Sequence, residues 1–370
     1  SLGNRGAVWT TLKRERIDFD REYGFDNAFC RRFAHDYLRR FREEDYYENR
    51  FYLSLLVKAD SIDAGIKECS EQMQILLRAL EPYAPQVLSA WQNPEEVAFS
   101  DVYRFYGSLI NGHADNIPLS PQSAYKTIPA ANLHFGTDIC EIRPESGGRK
   151  YAVMYDLRDF GLSKPKILTN ILTLPCEFTL TQSLIFISPY EMQQKIKRQL
   201  HNFASVDDKA VNQQIELEDA QGRLMAGEIM FGDYSSALTV FGGTPAEAVG
   251  NGAKAYSAFL NSGGFRFMKA GYSAPSTWFS QIPGCKDRPR SFPKTTENLA
   301  CTFGIHNYSH GKKHGNPLGD GSAVMPLQTV SKTVYDFNFH FTNPKDDNIG
   351  EKIAGHTLIL GATGAGKTTL

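Results

Sequence analysis

The residues Gly361, Ala362, Thr363, Gly364, Ala365, Gly366, Lys367 and Thr368 follow one another in the order G-x-x-x-x-G-K-[ST], the pattern of a phosphate-binding loop. A triphosphate has to be approached by backbone N–H groups on several sides, and only residues without bulky side chains permit that, hence glycine at 361, 364 and 366. Thr368 and Thr369 should open a helix whose free N–H groups and positive dipole end, about half an elementary charge, face the phosphates. Lys367 adds a mobile cation for the outer phosphates and is the catalytic candidate. The Thr368 hydroxyl is the expected Mg²⁺ ligand. The bland alternative is a Gly-rich turn. It is outweighed by the complete pattern and by the apolar run Thr357, Leu358, Ile359 and Leu360, which reads as the strand that delivers the loop.

Leu370 lies two residues past the loop. The acidic strand end that completes the Mg²⁺ site, the residue that orients water and any arginine finger are therefore expected downstream. The polypeptide alone is expected to bind phosphate poorly and to hydrolyse nothing. It starts with Ser1 and shows no signal-peptide pattern, so it reads as cut at both ends.

The elements that must position this loop fill 370 residues, 41% of them apolar and 12% aromatic, enough for two or three domains with real cores. Forty basic residues against 41 acidic ones leave a net charge of -1, so no global field argues for nucleic acid or an anionic membrane. Local patches stay possible. Cys30, Cys69, Cys140, Cys176, Cys285 and Cys301 form no C-x-x-C pair, which reads as a reducing, cytoplasmic setting. The most apolar region, Ile167 to Tyr190, is broken by Pro175, Glu177 and Gln182, short of the ~20 apolar residues of a membrane helix.

Ala7 to Leu12 reads as a strand, and Asp26 opens a helix with Phe29, Phe33, Tyr37 and Phe41 in one aromatic stripe. Its other face carries Arg31, Arg32, Arg39, Arg40 and Arg42, which reads as a solvated face rather than a nucleic-acid patch. Phe51 to Val57 is a strand; Ser61 leads a helix with Ile62, Ile66, Met73, Leu76, Leu77 and Leu80 on one side, ended by Pro82. A weaker strand spans Val87 to Trp91, and Asn93-Pro94-Glu95-Glu96 has the composition of a helix start. A loop-rich joint from Ile110 to Asn132 precedes a hairpin of Ile139 to Ile142 and Lys150 to Leu157. Phe178 to Ile187 is a strand, and Pro189 to about Ile229 a long helix or helical pair. Ser236 to Phe241, the capping box Thr244-Pro245-Ala246-Glu247 and Phe265 to Met268 form a second strand–helix–strand unit, a suspected repeat of the one from Phe51 to Trp91. Composition changes from Gln281 to Pro, Gly, Lys and His, which sets the domain boundary at 285/286. Val334 to Phe341 alternates as a half-buried strand.

Cys301, His306, His310 and His314 raise zinc as a possibility, opposed by Gly304, Gly311, Gly315, Pro317 and Gly319, which favour a basic surface loop over a helix. No Ser/His/Asp or Cys/His grouping has local support for nucleophilic catalysis.

The order Glu218-Asp219-Ala220, Gly227, Gly232, Gly263-Gly264-Phe265, Ile282-Pro283-Gly284, Arg290, Tyr335-Asp336-Phe337-Asn338-Phe339-His340 and Gly355-His356-Thr357-Leu358-Ile359-Leu360-Gly361 resembles the CagE/TrbE/VirB family of type IV secretion ATPases. The likeness is closest over roughly the last 150 residues. It implies an α/β fold: a mixed α/β N-terminal domain, 1–285, for docking and oligomerisation, then 286–370 as linker and first part of a RecA-like P-loop ATPase domain. It implies ATP with Mg²⁺, and hydrolysis that drives pilus biogenesis and passage of DNA or protein. It also implies a homo-oligomer, commonly hexameric, on the cytoplasmic side of the bacterial inner membrane. The implied partners are inner-membrane and scaffold subunits and other secretion ATPases; DNA contact has no support from net charge. Two alternatives stand beside it, a non-catalytic scaffold subunit and a DNA-translocating RecA-like ATPase.

Overall fold

The computed structural model describes residues 3–21, 26–161, 163–206, 211–340, 342 and 355–360. In chain order β1 (Gly6–Ile17), α1 (Ala28–Arg42), β2 (Tyr46–Val57) and α2 (Ile62–Ala79) come first. A ribbon of β3 (Ala90–Gln92) and β4 (Ala98–Ser100) leads to α3 (Asp101–Ile110), the short α4 (Ala124–Thr127) and β5 (Ala131–Phe135). Next are β6 (Cys140–Pro144), β7 (Lys150–Asp159), β8 (Phe178–Phe186), α5 (Pro189–Val206), α6 (Val211–Met225) and β9 (Phe231–Gly242). Then follow α7 (Pro245–Gly263), β10 (Arg266–Lys269), α8 (Ala274–Phe279), β11 (Phe292–Thr295), α9 (Thr296–Thr302), β12 (Met325–Gln328) and β13 (Val334–Phe337). The fold is α/β, as expected, with helices mixed among antiparallel sheets. Two compact units form: Ser1–Glu15 with Asn49–His306, and Arg16–Glu48 with Asn307–Leu370.

The first unit is built on a sheet ordered β2-β1-β8-β9-β7-β6-β5, with β10 also on β7 and β11 also on β9. Its centre is β9, buried at every position but Asp233, a run of Tyr, Leu, Thr, Val and Phe suited to a pleated surface covered on both sides. On one face Ile142, Ala152, Met154 and Phe241 pack against Ala274 and Trp278 of α8. On the other lies α7, which buries Ala248, Asn251, Gly252, Ala255 and Phe259. Gly252 is there because a Cβ would stand 2.5 Å from the Tyr155 hydroxyl. The helix is capped as the sequence indicates, Thr244 accepting from Glu247 N–H with Pro245 in the first turn, but the Glu247 carboxylate turns to Gly243 N–H at 2.9 Å.

Three readings of the sequence are corrected. Asn93-Pro94-Glu95-Glu96 does not start a helix: Asn93 Oδ1 accepts from Glu95 N–H and Val97 N–H, making the β3–β4 turn with Glu96 at φ 62°, and α3 starts later on its Ser100 cap. The suspected repeat also fails topologically, because β9 and β10 both pair with β7 whereas β3 pairs only with β4, outside the large sheet. The α1 cap is Asn27, one residue after Asp26, and its aromatic stripe is split: Phe41 is buried and Tyr37 half-buried, while Phe29 and Phe33 are exposed. The hairpin, the strands β1, β2, β8 and β9 and the helical pair stand where the sequence puts them, with 207–210 outside the described residues.

Within the second unit Phe41 stacks on Tyr46 and packs with Phe19 and Val334. Tyr37 donates to the Pro326 carbonyl at 2.7 Å, and both Arg21 Nη atoms meet the buried Asp336 carboxylate. Gly311, at φ +64°, lies flat on the Asp336 backbone, where any Cβ would collide with the carbonyl. The β13 strand is shorter than the reading of Val334 to Phe341: residues 338–340 leave it, and Phe341 is outside the described residues.

In the first unit one buried cation ties the sheet to the segment before β8. Arg14, 1% exposed, donates to the carbonyls of Leu172 and Leu174 and to Asn49 Oδ1. Arg14→Leu removes three donated bonds from a buried site, the Leu174 carbonyl's among them, and is expected to cost about 3 kcal/mol or more of stability, read from urea unfolding; a loss under about 1 kcal/mol would reduce Arg14 to a space-filler.

Candidate functional site

The phosphate-loop residues Gly361, Ala362, Thr363, Gly364, Ala365, Gly366, Lys367, Thr368 and Thr369 lie outside the described residues. The approach to them is described. Residues 355–360 are irregular and exposed, not the strand read from the sequence, and Leu358 and Leu360 are more than four-fifths exposed. An unbroken apolar run becomes a strand only between neighbours that cover both its faces, and among the described residues none pairs with it. Its first residue is nevertheless placed: a Cβ on Gly355 would stand 3.1 Å from the Phe339 carbonyl and from the His340 ring, so the chain passes close to the end of β13.

In the first unit the segment after residue 285 is fastened to the sheet by alternate basic residues. Arg288 donates to the Asp233 carboxylate at 2.6 Å and to its carbonyl at 2.8 Å. Arg290 Nε meets Asp156, which also accepts from the Ser273 hydroxyl at 3.3 Å. Lys294 lies 4.2 Å over the Phe160 ring and 3.6 Å from Asp159, and β11 pairs with the start of β9. Sequence reasoning read here a change of composition and a domain boundary; the spacing of Arg288, Arg290 and Lys294 by even steps is the strand period that could have found the clamp.

A shallow cleft with room for little more than a water molecule is lined by Leu12, Leu168, Leu180 and Phe303 with Lys166 and His306. Its groups do not form a nucleophilic site. Burial pushes the Cys301 thiol up, away from thiolate, and His306 Nε2 is engaged with Thr169 Oγ1 at 2.9 Å. Of the residues raised for zinc, His310 has a local side-chain partner in Asn307. Among the described residues no three His, Cys, Asp or Glu side chains gather as a metal site. No helix among them is long and apolar enough to cross a membrane.

Residues 86–289 match the family described as "CagE, TrbE, VirB family, component of type IV transporter system". The chain belongs to this family. Residues 1–64 also match the N-terminal domain of the type IV secretion system ATPase VirB4/TrbE. The chain is 27% identical to type IV secretion system protein virB4 of Bartonella quintana (strain Toulouse) over 391 residues, 99% of this chain and 48% of that protein. It is 26% identical to the virB4 protein of Brucella suis biovar 1 (99% and 47% covered) and 25% identical to the PtlC homolog of Bordetella bronchiseptica (98% and 47% covered). The chain thus spans about half the length of the curated relatives it matches.

Several residues that carry the CagE/TrbE/VirB resemblance occupy positions of tight geometry. A Cβ on Gly232 would stand 2.9 Å from the Ile185 carbonyl and closer still to Leu184, so β8 and β9 need glycine there. Gly264 caps α7 at φ +65°, and Gly284 sits at φ +91° before the clamp in which Arg290 meets Asp156.

Burial pushes the Asp156 carboxyl up from its ordinary value, against the opposing pull of Arg290 and Ser273. A carboxyl whose folded pKa exceeds its unfolded one holds its stabilising contribution below the unfolded pKa and loses it as pH rises through the folded pKa. Arg290→Met is expected to raise that pKa further and steepen the loss, and Asp156→Asn to flatten it. Urea midpoints of the three proteins between about pH 4 and 8 test this, and an unchanged profile in Arg290→Met would remove the pair from the account.

Proposed function

We propose that the chain is the docking region and nucleotide-entry segment of an ATPase that energises a type IV secretion or conjugation apparatus. The observation that carries this is the complete phosphate loop at 361–368 in a member of the CagE/TrbE/VirB family. The donor set fits a Mg²⁺–triphosphate: amides flanked by glycine, one ammonium and one hydroxyl next to the position where a helix should begin. ATP supplies the phosphoanhydride whose cleavage drives the work. In this reading Gly361 to Gly366 present N–H groups, Lys367 holds the β- and γ-phosphates, Thr368 ligates Mg²⁺ and Thr369 continues the helix start. The region up to about residue 285 docks the secretion apparatus, and 286–370 are the linker and the first part of the motor domain. The working form is a homo-oligomer, hexameric in the family's manner, held at the cytoplasmic face of the inner membrane by membrane and scaffold subunits and by other secretion ATPases.

A second reading is a scaffold in which nucleotide only orders the assembly, favoured by one observation: most of the chain, up to about residue 285, precedes the segment that carries the phosphate loop. Lys367→Ala in the full-length protein separates the two. The motor reading expects ATP turnover to fall at least ~100-fold, with secretion lost and the circular dichroism spectrum kept. Secretion that survives a measured loss of turnover favours the scaffold, and unchanged turnover takes Lys367 out of the mechanism. A DNA-translocating reading requires salt-dependent DNA binding, which the net charge of -1 does not favour.

A further inference from the structure

The helical pair of α5 and α6 is an arm with one basic and one acidic face. Met192 and Leu200 of α5 and Leu217 and Leu224 of α6 pack in one cluster, anchored at the sheet end by Phe231. On α5 Lys195, Lys197 and Arg198 are exposed, and the helix's one acid, Glu191, takes Lys195 at 2.9 Å. Among the described residues Lys197 and Arg198 have no ion-pair partner. On α6 Glu216, Glu218 and Asp219 are exposed, and its one base, Arg223, is engaged at the root of the arm with Glu228 and with Glu297 of α9. The two helices thus carry equal and opposite net charge.

The charges stand on opposite faces but at the same height. Arg198 is two residues from Ile196 and Asp219 two from Leu217, about 200° round each helix from the packed seam, so each turns away from the other helix. Met192 and Leu224 lie in the cluster near the sheet and Leu200 and Leu217 further along, a register that sets Arg198 level with Asp219. It also sets Tyr190, 72% exposed on α5, level with Met225, 69% exposed on α6. Within one copy these groups cannot meet. A rotation about an axis along the arm brings α5 of one copy against α6 of the next with every height kept, and then cation meets carboxylate and ring meets thioether. A polyanion or an anionic lipid surface is a poorer occupant, because it would find only the α5 face and would be repelled by the equal charge of α6 one helix away. We infer that the α5–α6 arm is a head-to-tail contact between copies of this chain, Tyr190, Lys197 and Arg198 of one docking on Met225, Glu218 and Asp219 of the next. This rests on the proposed homo-oligomer and assigns it a heterologous contact, the kind from which rings are built.

The test is charge reversal in the purified full-length protein, with size measured by sedimentation and folding by circular dichroism. Arg198→Glu and Asp219→Arg, both at exposed positions, each set like charges face to face and are expected to weaken self-association at least tenfold with the spectrum kept. Mixed in equal amounts, the two variants are expected to associate again, because each finds the opposite charge on the other at both faces. The double variant Arg198→Cys with Asp219→Cys is expected to give, on mild oxidation, a covalent ladder running past the dimer, which neither single cysteine variant gives. An oligomeric protein whose two reversals associate as the wild type does, whose mixed reversals stay apart, or whose double cysteine variant links no further than the single ones overturns the arm contact and leaves the homo-oligomer standing. A wild-type protein that remains monomeric at every concentration overturns both.

Discussion

The β8–β9 pair is the constraint on which the first unit depends. Nine residues of β8 run antiparallel to β9, and both strands are buried on both faces over most of their length. Such strands cannot use water to satisfy a polar side chain, so several of the polar residues they carry are met by partners on other elements. Thr181 meets Thr11 of β1, and Gln182 takes the hydroxyls of Tyr234 and Thr302 while donating to the Thr302 carbonyl. Thr239 reaches Gln281 just after α8. The positions of β1, α9 and the turn after α8 are thereby tied to two central strands by hydrogen bonds whose loss would leave buried groups unpaired.

The clamp at Arg288, Arg290 and Lys294 follows the same logic with charges. Asp156, buried on a central strand, would be a costly carboxylate without Arg290, and the buried Arg288 guanidinium is met by the more exposed Asp233. The pairing fixes the segment that leaves the sheet, strand by strand, before the chain enters the second unit. Two neighbouring features use aromatic faces instead: Lys294 over Phe160, and Lys150 at 4.3 Å over Phe241. The rim of the sheet is therefore rich in cations that rest on rings or carboxylates already held by the core.

What the sequence disclosed was whatever rests on local periodicity. The hairpin around Gly147 and Gly148, the cap at Ser61, the cap at Thr244 and the helical pair from Pro189 all depend on residues within a few positions of one another, and all formed where read. What failed depended on competition or on distant partners. Asn93 looked like a helix cap because Asn serves caps and turns with the same side-chain oxygen; the hairpin partner β4 decided between them. The strands β5, β11 and β12 were missed since each is short and two carry Pro, at 293 and 326; only the neighbouring strand makes them strands. Of the candidate site, the phosphate loop is read from residue types and spacing alone and lies outside the described residues. The clamp was not legible, because Asp156 and Asp233 are far from Arg290 and Arg288 in the chain.

Two apolar surfaces left uncovered make opposite demands. Leu358, Ile359 and Leu360 form a continuous run without alternation, which only strands on either side can cover, since both faces are apolar and the backbone groups also need partners. The α2 stripe is one-sided and its backbone is satisfied within the helix, so one further helix suffices, and the face opposite stays wet. The first surface calls for a sheet and the second only for cover on one helix face. The strand before a phosphate loop sets the position of every amide that follows it, so the run before Gly361 carries the stricter geometric demand of the two.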